Sequence, residues 1–301
     1  MKYWHDMDFP TAPGITEALK EAVGKGIFGY TIPGQRYFDA VQNWYQTRFG
    51  WKTKRNWIVP VPGVVFALST AVRAFTKPGE KVLIQQPVYY PFGNVVRENG
   101  RELVNSPLKL IDGHYQMDFP DLEEKLADPK VRLFILCSPH NPVGRVWTKE
   151  ELCSLEELCL KNDVIVVSDE IHSDFVWEGH THHILASLDK RYEENTVICT
   201  APSKTFNLAG LQTSNLFIPN RELRHVYRAE LARISGNDPN QLGQTACRAA
   251  YETGADWLDA VKSYIQGNID FTEIFLKEKM PWGLVPFIQA LLLARYLRGG
   301  L

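Results

Sequence analysis

Short apolar runs recur along this chain, and each breaks off into a polar, chemically capable cluster. KVLIQ (81–85) enters PVYY, RLFILC (132–137) enters SPHNPVG, VIVV (164–167) enters SDEIH, and TVIC (196–199) enters TAPSKTFN. A further run, Ser214–Ile218, follows. Uninterrupted apolar runs, unlike alternating ones, mark strands buried on both faces, which is the state of parallel strands covered by helices. Helical periodicity fills the intervals. It is clear at 14–24, Tyr37–Arg48, Val64–Phe75 and Lys149–Lys161, then at 221–234, 240–253 and 255–278. Asp8–Pro13 and WIVPVPG read as extended, and the Gly-, Tyr- and Pro-rich Gly26–Gly34 as a loop. The pattern predicts an α/β fold with a largely parallel sheet. Such sheets bind ligands beyond the carboxyl ends of their strands, where these clusters fall.

Composition bounds the remaining classes. The 301 residues are 45% hydrophobic, enough to offset the entropy of ordering a core. Lys and Arg number 33 against 35 Asp and Glu, so the net charge of −2 gives no electrostatic case for nucleic acid or an anionic membrane. Cys137, Cys153, Cys159, Cys199 and Cys247 form no C-x-x-C pair. That odd, scattered set predicts reduced thiols and a cytoplasmic setting. MKYWHDMDFP lacks the apolar core of a signal peptide, and 284–294 is too short to span a bilayer.

Taken singly, the polar residues are ambiguous. Lys204 lies in Ser203-Lys204-Thr205 just past a strand: a solvated lysine, or a desolvated amine able to form a Schiff base. Asp169 either caps the next helix or pairs with a buried cation. Asn141 in NPVG reads as a turn residue and Tyr89 in PVYYPF as a core aromatic. The glycine before Val64 and Val65 opens a helix whose N–H groups can hold a phosphate.

In combination these segments resemble the fold-type I pyridoxal-phosphate enzymes of the class I/II aminotransferase superfamily. The closest likeness is to the PatB/MalY-type cystathionine β-lyase (C–S lyase) branch. DMDFPTAP (6–13), GIFGYT (26–31), PVYYPF (87–92), SPHNPVGRVWT (138–148), SDEIHSDFVW (168–177) and APSKTFNLAGLQ (201–212) occur in the family order, over residues 6 to about 279. The resemblance implies a three-layer α/β/α large domain with a mostly parallel sheet at 30–225. A small domain is built from 1–29 and the helices of 226–279, and an atypical tail occupies 280–301.

It also implies pyridoxal 5′-phosphate and a role for each residue. Lys204 anchors the cofactor and serves as general base. Asp169 keeps the pyridine nitrogen protonated, so that the ring accepts electrons. Asn141 bonds the ring's 3′ oxygen, Tyr89 stacks on its face, and His172 stands where many relatives carry tyrosine. The N–H groups of Val64 and Val65 hold the phosphate, with the hydroxyls of Ser203 and Thr200. Tyr30 reaches the phosphate of a neighbouring subunit, making a homodimer. The implied reaction is β-elimination from cystathionine or cysteine S-conjugates, giving thiol, pyruvate and ammonia. The alternatives are an aminotransferase of the same superfamily and a shortened, non-catalytic chain.

Three departures qualify the likeness. Gln212 stands eight residues after Lys204, where many aminotransferases place an arginine on the phosphate. No late arginine motif for the substrate carboxylate follows, since Arg295 and Arg298 lie in an unrelated apolar tail. The chain therefore reads as truncated at both ends, with an exposed apolar surface beyond residue 225 and weak activity. His180, His182 and His183 read as a solvated loop rather than a metal site.

Overall fold

The structure, a computed structural model, describes residues 7–234 and 238–279. Helices α1 (Pro13–Gly24) and α2 (Gln35–Phe49) precede strand β1 (Ile58–Val61) and helix α3 (Val64–Phe75). Strand β2 (Lys81–Ile84), α4 (Pro91–Glu98) and β3 (Glu102–Asn105) follow. Next come β4 (Lys109–Ile111), β5 (His114–Gln116) and α5 (Phe119–Leu126). The centre of the fold is β6 (Val131–Cys137), α6 (Lys149–Lys161), β7 (Ile165–Asp169) and β8 (Thr196–Thr200). The short α7 (Pro202–Thr205), β9 (Ser214–Phe217), α8 (Arg221–Arg233), α9 (Gln241–Thr253) and α10 (Ala255–Lys279) complete it.

Seven strands form one sheet in the order β1-β9-β8-β7-β6-β2-β3. Only β9 runs against its neighbours. The other six therefore end at one edge, at Val61, Ile84, Asn105, Cys137, Asp169 and Thr200. Strand alternation divides the core between the two faces. Leu136, Val166, Ile198 and Phe217 pack with the aromatic residues of α2 and α9 and with α6. Leu133, Ile135, Val167, Val197 and Leu216 pack with α3, α4 and Tyr227 of α8. This gives the expected three layers.

Long elements lie where their periodicity predicts, with ends shifted by a residue or two. Strand β7 reaches Asp169 instead of stopping at Val167, because Ser168 and Asp169 still pair with both neighbours. No sequence periodicity marks α4, α5, β3 or the β4–β5 hairpin. The hairpin is closed by Asp112 and Gly113, both at positive φ, the two-residue turn that an Asp-Gly pair favours. Helix α9 packs on α1 and α2, so the N-terminal segment and the late helices are in contact. Tyr264, Phe271, Ile274 and Phe275 of α10 are exposed. The expected tail at 280–301, with Arg295 and Arg298, lies outside the described residues.

Helix α6 starts on a capping box, with Thr148 and Glu151 exchanging side-chain-to-backbone bonds. Further along, Glu156 is buried against the sheet, bonded through one oxygen to Asn195 Nδ2 at 2.9 Å. Its other oxygen has no partner, and burial pushes its carboxyl up to about 8. The folded state therefore keeps the proton where the unfolded chain has lost it. The stability this contributes is complete below the ordinary carboxylate range and is lost as the pH rises through about 8. Glu156→Gln should lose this dependence. Its Tm relative to the wild type should rise by at least about 2 °C between mildly acidic and mildly alkaline buffer. Parallel Tm curves would show that Glu156 is ionised in the folded protein.

Candidate functional site

The carboxyl edge brings together residues from four separate segments. Asp169 ends β7, in register with Cys137 of β6 on one side and Cys199 of β8 on the other. All three lie on the α3 and α4 face of the sheet. Asp169 is buried, and the Ile171 N–H donates to its Oδ1 at 3.1 Å. Burial is the largest influence on it and pushes its carboxyl up to about 7. The nearby Glu170 adds to this, while the Ile171 N–H and the Lys204 charge oppose it.

Lys204 stands half-buried on α7, in the turn directly after β8. Its charge acts on Asp169 and also on His172. Burial, then Lys204, lowers the His172 imidazole to about 4, so it is neutral. Its Nδ1 is buried without a hydrogen-bond partner. Tyr89 follows β2, half-buried, and both burial and the Asp169 charge raise its phenol. Its N–H donates to the Asn141 carbonyl at 3.0 Å. The Asn141 N–H in turn points at Cys137 Sγ, 3.3 Å away. The NPVG turn is thus fixed over the end of β6, and it is both a turn and part of the cluster.

Helix α3 opens at the same edge. No side chain caps it, Gly63 leaves open space where a Cβ would stand, and Val64 is buried while Val65 is partly exposed. Bare N–H groups at the positive end of a helix dipole form an anion cradle. Ser203 is half-buried on α7.

Thr200 departs from expectation. It is fully buried, and its hydroxyl donates to the Asn215 carbonyl at 2.8 Å, beside Tyr45 on the opposite face of the sheet from Asp169. The alternation that turns Cys199 toward Asp169 turns Thr200 away, so its hydroxyl does not reach a phosphate on the α3 side. Tyr30 is fully exposed, beside exposed Ile27, Phe28 and Ile32. Gln212 takes a left-handed conformation at the end of the 209–211 turn.

The histidine loop also needs correction. His182 is not solvated: it is buried and bonded to Glu170 Oε2 at 2.8 Å. The other oxygen of Glu170 accepts from Ser168 Oγ and the Leu185 N–H. Period-2 alternation in VVSDE was the available signal, since it turns Glu170 away from Asp169. No cluster of metal-ligating side chains occurs among the described residues.

These residues fit pyridoxal 5′-phosphate. A buried acid near neutrality suits a ring nitrogen that needs a counter-charge, an amine stands near it, and an uncapped helix start opens on the same edge.

Comparison with known proteins agrees. The profile of the family "Aminotransferase class I and II" matches residues 5–289, and the chain belongs to that family. It is 51% identical over 276 residues to cystathionine β-lyase PatB of Bacillus subtilis, covering 92% of this chain and 71% of that protein. A pyridoxal-phosphate-bound putative aminotransferase from Clostridium difficile 630 superposes with a TM-score of 0.90 at 44% identity, covering 93% of this chain and 72% of that one. Cystalysin of Treponema denticola, a structure containing pyridoxal 5′-phosphate, gives 0.89 at 38% identity, covering 92% and 71%.

Asp169 carries a signed consequence. Its raised affinity for the proton makes the cofactor-free protein lose stability as pH climbs from the usual carboxylate range through about 7. Asp169→Asn should therefore stabilise the cofactor-free protein at mildly alkaline pH and leave it unchanged near pH ~4. The Tm gain on adding pyridoxal 5′-phosphate should shrink in the same variant. A thermal-shift series showing an undiminished cofactor gain would remove Asp169 from the site.

Proposed function

We propose that the protein is a pyridoxal-phosphate-dependent carbon–sulfur β-lyase that cleaves cystathionine and related cysteine S-conjugates. The observation that carries this reading is the buried acid–lysine pair at the carboxyl edge, Asp169 with Lys204, in a chain half identical to a cystathionine β-lyase. When bound, pyridoxal 5′-phosphate supplies an electron-accepting ring conjugated to the carbon that holds the substrate amine.

The chain's own residues do the rest. Asp169 would hold a proton on the ring nitrogen, and its dry surroundings would strengthen that charge pairing. Lys204 Nζ would anchor the cofactor and, once the substrate amine has taken its place, would accept the proton from the substrate α-carbon. The Cβ–S bond would then break with its electron pair on sulfur, and the proton that Lys204 took from the α-carbon balances the departing thiol. The released 2-aminoacrylate is hydrolysed to pyruvate and ammonia, with no net oxidation. Tyr89 would cover the ring face, and Asn141 would donate to the ring oxygen. The first N–H groups of α3, at Val64 and Val65, would hold the phosphate with the Ser203 hydroxyl. Neutral His172 borders the lysine and adds no charge to the site.

The exposed 27–32 segment supports a homodimer, with Tyr30 extending to the partner's phosphate. Free, mostly buried cysteines suit a cytoplasmic setting, and among the described residues no helix is long and apolar enough to cross a membrane.

Borohydride treatment of the cofactor-loaded protein should place a stable reduced adduct on Lys204, located by peptide mapping. Cystathionine should yield pyruvate without an added keto acid, and Lys204→Ala should lower turnover by at least about 100-fold. Product formation that requires a keto acid acceptor would make the protein a transaminase. An adduct on a different lysine would overturn the site.

A further inference from the structure

The SDEIHSD segment carries a third buried acid besides Asp169 and Glu170, five residues beyond Asp169. Asp174 is almost fully buried, and its Oδ2 accepts a hydrogen bond from Thr205 Oγ1 at 2.7 Å. Thr205 is itself buried and follows Lys204 directly on α7. A helix this short has little rigidity of its own, so its position is set by what grips it.

The grip comes from behind. Phe206 sits edge-on to Trp44 with ring centroids 5.5 Å apart, and close to Tyr251 and Trp257. Gly254 packs so tightly against it that a Cβ there would stand 2.3 Å from the Phe206 ring. Asn207 Nδ2 donates to the carbonyls of Met7 and Phe9, both at 2.9 Å. The aromatic contacts and the Asn207 bonds restrain α7 at its carboxyl end, and the Thr205–Asp174 bond adds a directional restraint beside the lysine itself.

Asp174 also borders a cavity of about 210 Å³ lined by Arg48, His180, Thr181, His182, Leu258 and Lys262. Burial raises its carboxyl, against the Thr205 bond and the charges of Arg48 and Lys262.

We infer that Asp174 is a positioning residue for Lys204, acting through the Thr205 hydroxyl to fix the lysine's bearing toward the reacting carbon. One seven-residue segment then carries both the acid that serves the ring nitrogen and the acid that orients the lysine. Its register sets the two halves of the site relative to each other. This rests on the reading of Lys204 as anchor and base.

The test uses the cofactor-loaded protein. Thr205→Val keeps the shape and loses the donor, while Thr205→Ser keeps the hydroxyl. Asp174→Leu loses the acceptor, and Asp174→Asn keeps one. The readouts are kcat and KM for cystathionine, the pH midpoint at which the bound cofactor's visible absorption titrates, and Tm. Proton transfer by a misaimed lysine weakens only the transition state, so the loss belongs in kcat. Thr205→Val should lose at least about tenfold in kcat with KM little changed, and its absorption midpoint should shift. Thr205→Ser should recover most of both. Asp174→Leu should match Thr205→Val, Asp174→Asn should be milder, and the double variant should be no worse than either single one.

If Thr205→Val keeps kcat within about twofold and an unshifted midpoint while only Tm falls, Asp174 is structural and the inference fails. Should Asp174→Leu not accumulate as folded protein, the Thr205 pair decides alone. Borohydride mapping of the wild type separates the two levels. An adduct away from Lys204 sinks the functional reading, whereas an adduct on Lys204 with an indifferent Thr205→Val sinks only this inference.

Discussion

Asp169 is a carboxyl group held where water scarcely reaches it, in register with two thiols that cannot neutralise it. Removing a carboxylate from water is expensive unless a charge or several donors replace the lost hydration. Here one backbone N–H does so directly, and the Lys204 charge contributes as well. Cys137 and Cys199 stay protonated, since burial and the Asp169 charge both raise them. The result is a buried acid that favours a cationic group placed against it. The parallel sheet exists, functionally, to deliver this one residue to its edge with the α3 dipole facing the same opening.

Strand alternation does the sorting. Asp169 and Cys199 face α3 and α4, while Thr200 faces Tyr45, and the Glu170 carboxylate bonds Ser168 and His182. Consecutive acids in SDE therefore have unrelated fates. One is left short of partners at the cleft. The other is satisfied by a hydroxyl, an imidazole and an amide, and ties the 171–185 loop back to its strand. Asp174 completes the segment by bonding Thr205 behind the lysine. The apolar and aromatic packing under α7 supplies firmness, and the polar bonds supply direction.

The legible parts of the fold were those with long, unmixed periodicity. Val64–Phe75 and Lys149–Lys161 have the expected bounds, because twelve or more residues of consistent pattern leave little doubt about period. The short, Pro-led α4 and α5 and three-residue strands such as Lys109–Ile111 carry too few repeats for any period to show. The Asp112-Gly113 pair is a local turn signal in that stretch. Lys204, Asp169, Asn141, Tyr89 and His172, which the ordered motifs single out, fall in one neighbourhood, and their roles there are the proposal made above. Thr200 was misplaced because a motif gives sequence position and only the strand pleat gives the face. His182 does not read as buried from the sequence because its partner, Glu170, lies twelve residues away, and a buried hydrogen bond across a loop leaves no local pattern.

The central claim is that the structure's buried acid keeps a proton on the cofactor's ring nitrogen. The most direct measurement is the ¹⁵N chemical shift of the pyridine nitrogen in protein loaded with ¹⁵N-labelled pyridoxal 5′-phosphate, compared with free cofactor above and below its own titration. A shift characteristic of the protonated ring, held across neutral and mildly alkaline pH and lost in Asp169→Asn, is the predicted result. A wild-type signal at the position of the unprotonated ring would contradict the account, because Asp169 would then be a buried acid with a different task.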